Sequence, residues 1–186
     1  MPRLYLVRHG RAAAGWNTDP DPGLDAVGRH QAAAMTARLA PLGPLELVSS
    51  PLLRCQETAS GLAQAWGVSA RIEPAVAEIP SPEGVAMADR VEWLRLAMAG
   101  SWAALGPRYT EFRDGVAAAL AALPHDTVVT SHFIAINAAI GVATGDDRLV
   151  IRSLDNCSVT VIDVLHGAPP LAAAGPEPDT LIRCWA

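Results

Sequence analysis

The sequence predicts one α/β domain, a three-layer α/β/α sandwich with a mainly parallel central sheet and an antiparallel C-terminal portion. Short apolar or β-branched runs alternate along the chain with longer segments of helical periodicity. This alternation is typical of a parallel sheet covered by helices on both faces. The 186 residues contain no internal repeat and no linker-like segment. A single domain over residues 1–186 is therefore expected, and it can bury roughly 70% of its unfolded surface.

The first part of the chain supplies three predicted strands and two predicted helices. In chain order these are a strand at Arg3–Val7, a helix at Asp25–Ala40, a strand at Glu46–Ser49, a helix from Ser50 to about Trp66, and a weak strand at Ser69–Ile72. Pro41 stops the first helix. For the second helix, Ser50 is expected to cap the N-terminus and Pro51 to occupy the first helical position.

The rest of the chain continues the alternation and ends in short strands. Prolines predict a loop at Glu73–Pro82, and helical periodicity returns at Val85–Ala99 and Tyr109–Leu123. The following predicted elements are a central strand at Thr127–Thr130, a helix at Ala135–Ala143, and late strands at Val150–Arg152, Val159–Val164 and Leu181–Cys184. We expect the late strands to pair as hairpins, with Pro169–Pro178 as a surface loop.

Composition excludes several function classes. The net charge of −5 disfavours a broad face for nucleic acid or for a membrane surface. No run of 18 apolar residues and no signal-like leader occurs, so we expect a cytoplasmic protein without a membrane-spanning helix. The three cysteines are widely spaced and suggest neither a disulfide framework nor a zinc site.

All 14 basic residues are arginines. A chain without lysine has no Walker A phosphate loop, no Schiff base and no lysine general base. Arginine instead offers a planar fork that suits phosphate or carboxylate. Any anion that this chain binds is therefore expected to contact arginine, histidine or backbone N–H groups.

Two histidines directly follow predicted strands. The first strand runs into Arg8, His9 and Gly10, and His132 follows Thr127–Thr130 after a single serine. Because ligands bind beyond the carboxyl ends of parallel strands, both imidazoles are expected at one edge of the sheet. Arg54 lies on the first turn of a helix that also starts at a strand end. Two guanidiniums, two imidazoles and a helix N-terminus would form a pocket for a phosphate-sized anion.

The segments around these residues carry a family resemblance. They are Leu6-Val7-Arg8-His9-Gly10, the stretch Asp21–Ala32 with its leucine, glycine, glutamine and alanine, Ser50-Pro51-Leu52-Leu53-Arg54 with Thr58-Ala59, Thr130-Ser131-His132, and Asn156–Thr160. In this order they resemble the histidine phosphatase superfamily, which also contains phosphoglycerate mutases. The likeness spans most of the chain.

The resemblance implies a nucleophile and a phosphate site. His9 would attack phosphorus and form a phosphohistidine that water then hydrolyses. Arg8, Arg54 and His132 would bind the phosphoryl oxygens and stabilise the charge on them during transfer. The substrate would be a small phosphomonoester. No metal and no cofactor would be needed, because the arginines supply the positive charge.

The resemblance also implies a proton donor for the leaving oxygen. Glu78 occupies the place of the family's acidic residue in the loop after the third strand, and Glu83 is a nearby competitor. An acid that works near neutral pH needs a raised pKa, which partial burial provides. Asn17 is a further candidate for binding phosphate, although its spacing from His9 differs from the common pattern by two residues.

Because the chain departs from the family pattern at several positions, its sequence does not identify the substrate. Arg11-Ala12 replaces acidic and hydroxyl residues, Phe133 replaces a glycine after His132, and Ile79–Pro82 replaces a loop with glycine and tryptophan. The alternatives are a mutase-type phosphotransferase, a protein phosphohistidine phosphatase, and a non-catalytic module that binds a phosphate ligand. The modest segment between Glu78 and Thr127 favours hydrolysis over mutase chemistry, which needs a lid to exclude water.

Overall fold

In the computed structural model, which describes residues 2–165 and 181–185, six strands form one sheet. They are β1 (Arg3–Arg8), β2 (Glu46–Ser49), β3 (Arg71–Ile72), β4 (Thr127–Ser131), β5 (Val159–Leu165) and β6 (Leu181–Trp185). The order across the sheet is β3-β2-β4-β1-β5-β6. The first four of these run parallel, and β5 pairs with β1 in the antiparallel direction.

Helices cover both faces of this sheet. Their bounds are α1 (Ala26–Leu39), α2 (Leu53–Trp66), α3 (Arg90–Ala97), α4 (Trp102–Leu105), α5 (Pro107–Ala121) and α6 (Phe133–Thr144). Successive strand residues point to opposite faces, so Leu6 packs with α5 and α6 while Val7 packs with α1 and α2. The three-layer sandwich with its mainly parallel sheet is confirmed.

A third, smaller hydrophobic cluster joins α4, α6 and the loop after β3. Trp102 of α4 is fully buried there, and it packs with Ile79 from the loop after β3 and with Ile134 of α6. Trp16 and Trp93 lie partly buried at the margin of the same cluster. This cluster therefore links the loops at the carboxyl edge of the sheet to the helices behind them.

The start of α2 differs from the prediction. The helix begins at Leu53, with Leu52 as its N-cap residue, so Ser50 and Pro51 lie before it. The Oδ1 atom of Asp21 accepts a hydrogen bond from the backbone N–H of Leu53 at 2.8 Å. A carboxylate from a distant loop therefore satisfies a free N–H of the first turn, and the prediction that Ser50 caps this helix is wrong.

Further corrections concern the middle and the end of the chain. The predicted helix at Val85–Ala99 is shortened to α3, which follows a single 3₁₀ turn at Met87–Asp89. Helix α4 was not predicted; Ser101 caps it by accepting the N–H of Ala104 at 3.3 Å. The predicted strand at Val150–Arg152 is an irregular segment.

The late strands do not pair as hairpins. β6 lies parallel to β5, with Leu181 opposite Val161, whereas a hairpin would make them antiparallel. The predicted loop Pro169–Pro178 lies outside the described residues. Within residues 2–165 and 181–185, no helix has the length and apolar character needed to cross a membrane.

Candidate active site

Parallel pairing of β1 and β4 brings the two histidines together. Arg8 pairs with Ser131 in the register of these strands, so His9 and His132 each come one residue after a paired strand end. The backbone N–H of His9 donates to the carbonyl of Ser131 at 3.0 Å. The ring centroids of the two histidines lie 5.2 Å apart with an interplanar angle of 61°. The two imidazoles therefore lie together at one edge of the sheet, as the sequence predicts.

The His9 ring is held in one orientation. Its Nδ1 atom lies 2.8 Å from the carbonyl oxygen of Gly10, and since a carbonyl only accepts, Nδ1 carries the hydrogen and Nε2 carries the lone pair. The Nε atom of Arg54 donates to this Nε2 at 3.3 Å. Burial is the main cause that lowers the pKa of His9 to about 3; the hydrogen bond to Gly10 acts in the opposite direction and Arg54 in the same one. The ring is therefore neutral at physiological pH.

The backbone around His9 is fixed by its neighbours. Asn156 donates from Nδ2 to the carbonyl of His9 at 2.9 Å, and the N–H of Gly10 donates to the hydroxyl of Thr58 at 3.0 Å. A Cβ atom on Gly10 would lie 2.6 Å from the carbonyl oxygen of Gly28. The close approach of α1 to this loop therefore requires glycine at position 10.

Arg54 connects the two histidines. It is the second residue of α2, and only 5% of it is exposed. Its Nη2 atom lies 3.2 Å from Nδ1 of His132, while its Nε atom contacts His9. The same Nη2 lies 3.9 Å from Oε2 of Glu78. One guanidinium thus faces both imidazoles and the candidate acid.

Arg8 contributes a second guanidinium from the end of β1. Its Nη1 atom donates to the carbonyl of Leu154 at 2.5 Å, and the guanidinium lies 5.1 Å from the centre of the Phe133 ring. Its buried Nε has no hydrogen-bond partner in the described part of the chain. Burial lowers the pKa of Arg8. Phe133, which replaces the family's glycine, therefore supports this cation by a cation–π contact.

His132 is completely buried at the start of α6. Its Nε2 atom lies 2.8 Å from the hydroxyl of Ser50 and 3.4 Å from Sγ of Cys55. Burial holds its pKa well below the usual range, and the positive charge of Arg54 adds to the shift. The ring is neutral, so one of its nitrogens can donate a hydrogen and the other can accept one.

Glu78 reaches the same space from the loop after β3. Its Oε1 accepts the N–H of Ile79 at 3.0 Å, which leaves Oε2 facing the site, 3.6 Å from Nδ1 of His132. The side chain is 16% exposed. Burial raises the pKa of Glu78, against the opposing effects of the Ile79 N–H and of Arg54. A carboxyl group with a raised pKa is suited to proton donation.

Two other candidates make no described hydrogen bond or ion pair with this cluster. Glu83 is strongly exposed and pairs with Arg108 at 2.5 Å, so it does not compete with Glu78. Asn17 is partly buried in the loop between β1 and α1, and no hydrogen bond between the described residues joins it to Arg8, His9 or Arg54. Its role in binding phosphate stays a prediction.

Sequence reasoning missed the residues that support the site. The sequence analysis assigns no role in the site to Ser50, Thr58 or Asn156, yet their side chains contact His132, Gly10 and His9. A signal for the first two was present, because a serine and a threonine flank Arg54 in one short segment. No local sequence pattern indicates a role for Asn156 in the site, because it lies 147 residues from His9 in the chain.

The charges of the cluster define what it can bind. Two guanidiniums and two neutral imidazoles face one buried space next to the N-terminus of α2. Such a group of donors fits a phosphate-sized anion. Among the residues that the structure describes, no three His, Cys, Asp or Glu side chains are grouped to hold a metal ion.

Comparison with known families identifies this arrangement. The profile of the histidine phosphatase superfamily (branch 1) matches residues 4–175. The chain belongs to this superfamily. The predicted resemblance is confirmed, and the match covers both histidines and both arginines of the site.

Proteins similar to this superfamily member include a probable mutase in sequence and a phosphatase in fold. It is 30% identical over 190 residues to a probable phosphoglycerate mutase, GpmB, of Salmonella paratyphi C, covering 88% of this chain and 85% of the relative. In fold it is similar to a mycobacterial glucosyl-3-phosphoglycerate phosphatase, with a TM-score of 0.66, 23% identity and coverage of 87% and 92% of the two chains. It is also similar to YhfR of Bacillus stearothermophilus, with a TM-score of 0.73, 19% identity and coverage of 88% and 92%.

Proposed function

We propose that this histidine phosphatase superfamily member is a phosphatase that hydrolyses a small phosphomonoester through a phosphohistidine on His9. The hydrogen bond between Nδ1 of His9 and the carbonyl of Gly10, at 2.8 Å, carries the proposal. It directs the lone pair of Nε2 toward the space that Arg54 faces. A neutral, fixed imidazole beside a guanidinium is what nucleophilic attack on phosphorus requires.

In the first step, Nε2 of His9 forms a bond to phosphorus while the bond between phosphorus and the leaving oxygen breaks. Arg8, Arg54 and His132 donate hydrogen bonds to the phosphoryl oxygens and stabilise their charge during transfer. The unpartnered Nε of Arg8 supports this role, because within the described chain that buried donor has no acceptor. The guanidiniums supply positive charge directly at the transferring group.

Glu78 moves the proton in both steps. Its carboxyl group, with a raised pKa, gives its proton to the leaving oxygen. In the second step the resulting carboxylate accepts a proton from water as the water oxygen attacks phosphorus. The bond between phosphorus and Nε2 then breaks, which releases phosphate and restores neutral His9.

The names of similar proteins support a phosphorylated compound as the substrate. The curated relative is named as a probable phosphoglycerate mutase, and a structure of similar fold acts on glucosyl-3-phosphoglycerate. We favour hydrolysis over mutase chemistry because α3, α4 and α5 fill the chain between Glu78 and Thr127. Transfer to a second substrate molecule needs a lid that excludes water, and these helices leave little chain for one.

The test is hydrolysis of p-nitrophenyl phosphate by the purified chain in the presence of a chelator. We expect turnover that is lost in His9→Ala and retained in His30→Ala, because His30 is exposed on α1. Rapid quenching should trap an acid-labile phosphohistidine in the wild type only. Equal inactivity of wild type and His9→Ala, with phosphate still bound, would favour a binding module instead.

A second experiment distinguishes hydrolysis from transfer of the phosphoryl group to another acceptor. Added phosphate acceptors such as glycerate should leave the yield of inorganic phosphate unchanged if water is the acceptor. A phosphorylated acceptor as the main product would favour a mutase. In the same assay, Asn17→Ala should raise KM if its amide contacts the phosphoryl group, and an unchanged KM would exclude that contact.

A further inference from the structure

The hydroxyl of Ser131 connects the end of β4 to the loop that carries Glu78, which we call the acid loop (residues 73–82). This hydroxyl donates to the carbonyl of Val76 at 2.7 Å, two residues before Glu78. Ser131 is 3% exposed and Val76 is 1% exposed, so water does not compete for this hydrogen bond. Among the described residues, no hydrogen bond closer to Glu78 along the chain joins the acid loop to the sheet.

The backbone of Ser131 is joined to both histidines of the site. Its carbonyl accepts the N–H of His9 at 3.0 Å, and His132 follows it directly in the chain. One residue at the end of β4 therefore contacts the candidate nucleophile, precedes the second imidazole and holds the acid loop. The distance of 3.6 Å between Oε2 of Glu78 and Nδ1 of His132 depends on this shared anchor.

Apolar contacts also hold the acid loop, but they constrain its position less. Val76 packs in the core with α5 and α6, and Ile79 packs in the cluster around Trp102. Apolar burial is non-directional, whereas a hydrogen bond depends on distance and angle. Without the hydroxyl of Ser131, the buried carbonyl of Val76 loses this donor, which favours a shift of the loop toward water.

We propose that Ser131 is a positioning residue: through its hydrogen bond to Val76, its hydroxyl holds the carboxyl group of Glu78 within reach of the leaving oxygen. The inference rests on the proposed function, because it needs Glu78 as the proton donor. Within the described chain, the Ser131 side chain makes no hydrogen bond to His9 or His132. It acts through the acid loop.

The kinetic test compares two leaving groups in Ser131→Ala. The value of kcat/KM for glycerol 2-phosphate should fall by about tenfold, because an acid displaced from hydrogen-bond reach gives up its proton poorly. For p-nitrophenyl phosphate, kcat/KM should change by less than about twofold, since nitrophenolate leaves without a proton. If Ser131→Ala does not fold, Ser131→Cys replaces the hydroxyl by a weak donor and should give the same contrast.

Thr127→Val is the matched control. Thr127 is fully buried on β4, and it points to the same face of the sheet as Ser131 because strand residues alternate. Its hydroxyl also donates to a backbone carbonyl, that of His125, at 2.8 Å, but it lies at the end of β4 away from the site. Loss of this hydroxyl should leave kcat/KM for both substrates at the wild-type values.

The comparison of substrates distinguishes positioning from a general structural effect. Equal losses for both substrates in Ser131→Ala would overturn the proposal, because the histidines rather than the acid would then be displaced. So would a wild-type kcat/KM for glycerol 2-phosphate in a variant that is folded by circular dichroism. In a Glu78→Gln background, Ser131→Ala should cause no further loss with this substrate, and an additional loss of similar size would also contradict the proposal.

Carbon NMR of the glutamate carboxyl groups tests the position of Glu78 without turnover. Its signal is assigned as the one that disappears in Glu78→Gln. The charged and titratable groups that face this carboxyl are Arg8 of β1, Arg54 of α2 and His132 at the start of α6. None of them is changed in Ser131→Ala, so a change in the pKa of Glu78 reports a change in its burial.

Burial raises the pKa of Glu78 in the wild type. We expect this pKa to fall toward the ordinary glutamate value in Ser131→Ala and to keep its wild-type value in Thr127→Val. An identical pKa in Ser131→Ala and the wild type would overturn the proposal. Because this titration needs no substrate, it remains decisive even if the chain hydrolyses nothing and the proposed function fails.

Discussion

The carboxyl oxygen Oε2 of Glu78 lies 3.6 Å from Nδ1 of His132, so an acid and a neutral imidazole share one largely buried space. Arg54 completes this group at 3.9 Å from the same oxygen. Burial favours the protonated carboxyl, while the guanidinium favours the ionised one, and burial has the larger effect on the pKa of Glu78. A carboxyl group with a raised pKa is suited to release a proton and to accept one again.

The first prediction concerns the leaving group. Glu78→Gln should lower hydrolysis of an alkyl phosphate by about a hundredfold, because a poor leaving oxygen needs a proton as it departs. Hydrolysis of p-nitrophenyl phosphate should fall much less, since nitrophenolate leaves without one. Steady-state rates with both substrates provide the measurement. Glu83→Gln, an exposed carboxylate that pairs with Arg108, is the control, and similar losses for both substrates in Glu78→Gln would argue against an acid role.

The second prediction concerns pH. The first step of the proposed mechanism needs protonated Glu78, whose pKa is raised, so kcat for an alkyl phosphate should fall as pH increases through that pKa. His9, with a pKa of about 3, stays neutral above it and adds no further loss in the mildly acidic range. Measured pH profiles of wild type and Glu78→Gln check this. A descending limb that persists unchanged in Glu78→Gln would have to be assigned to another group.

The third prediction concerns the guanidinium of Arg54. Arg54→Lys should lower kcat/KM by about a hundredfold, although the charge is kept, because one ammonium cannot contact both histidines at once. Arg95→Lys is a suitable control, since Arg95 is exposed and pairs only with Glu92 among its described neighbours. Circular dichroism of both variants shows whether they fold. Wild-type kcat/KM in Arg54→Lys would mean that bridging the histidines is unimportant.

The fourth prediction concerns stability. Trp102 is fully buried against Phe112, with ring centroids 6.0 Å apart, so Trp102→Ala should lower the free energy of unfolding by about 3–5 kcal/mol. Trp102→Phe should cost less than about 1.5 kcal/mol, because it keeps most of the ring volume. It also removes an indole N–H that is buried without a partner in residues 2–165 and 181–185. Urea unfolding followed by circular dichroism measures both, and equal losses would contradict this account.

The central strands and the meeting of the histidines could be predicted because they depend on local pattern. The apolar runs of β1 and β4 are too short for helices and end in polar residues. Once both strands are parallel neighbours, His9 and His132 must emerge at the same edge. Glu78 could be assigned only through the family resemblance, because nothing in its own segment indicates where that loop folds.

The incorrect predictions concern segments whose hydrogen-bond partners are side chains distant in the sequence. Val150–Arg152 has strand-like composition, yet the Oδ1 atom of Asn137 accepts the N–H groups of Ile151 and Arg152 at 2.8 and 2.9 Å. A buried amide thus satisfies backbone groups that a strand partner would otherwise bind. Ser50 resembles a helix cap in sequence, but its hydroxyl is used by His132. Neither partner can be inferred from neighbouring residues.

Arg8 affects more than the transfer step. Its buried Nε finds no acceptor in the described chain, so we expect the folded protein to become more stable when an anion fills the space beside it. Under the proposed function, the phosphate released at the end of turnover is such an anion. The product should therefore compete with the substrate and raise the melting temperature as it accumulates. Under the proposed function, inhibition by product phosphate is thus an expected consequence of the side chain at the end of β1.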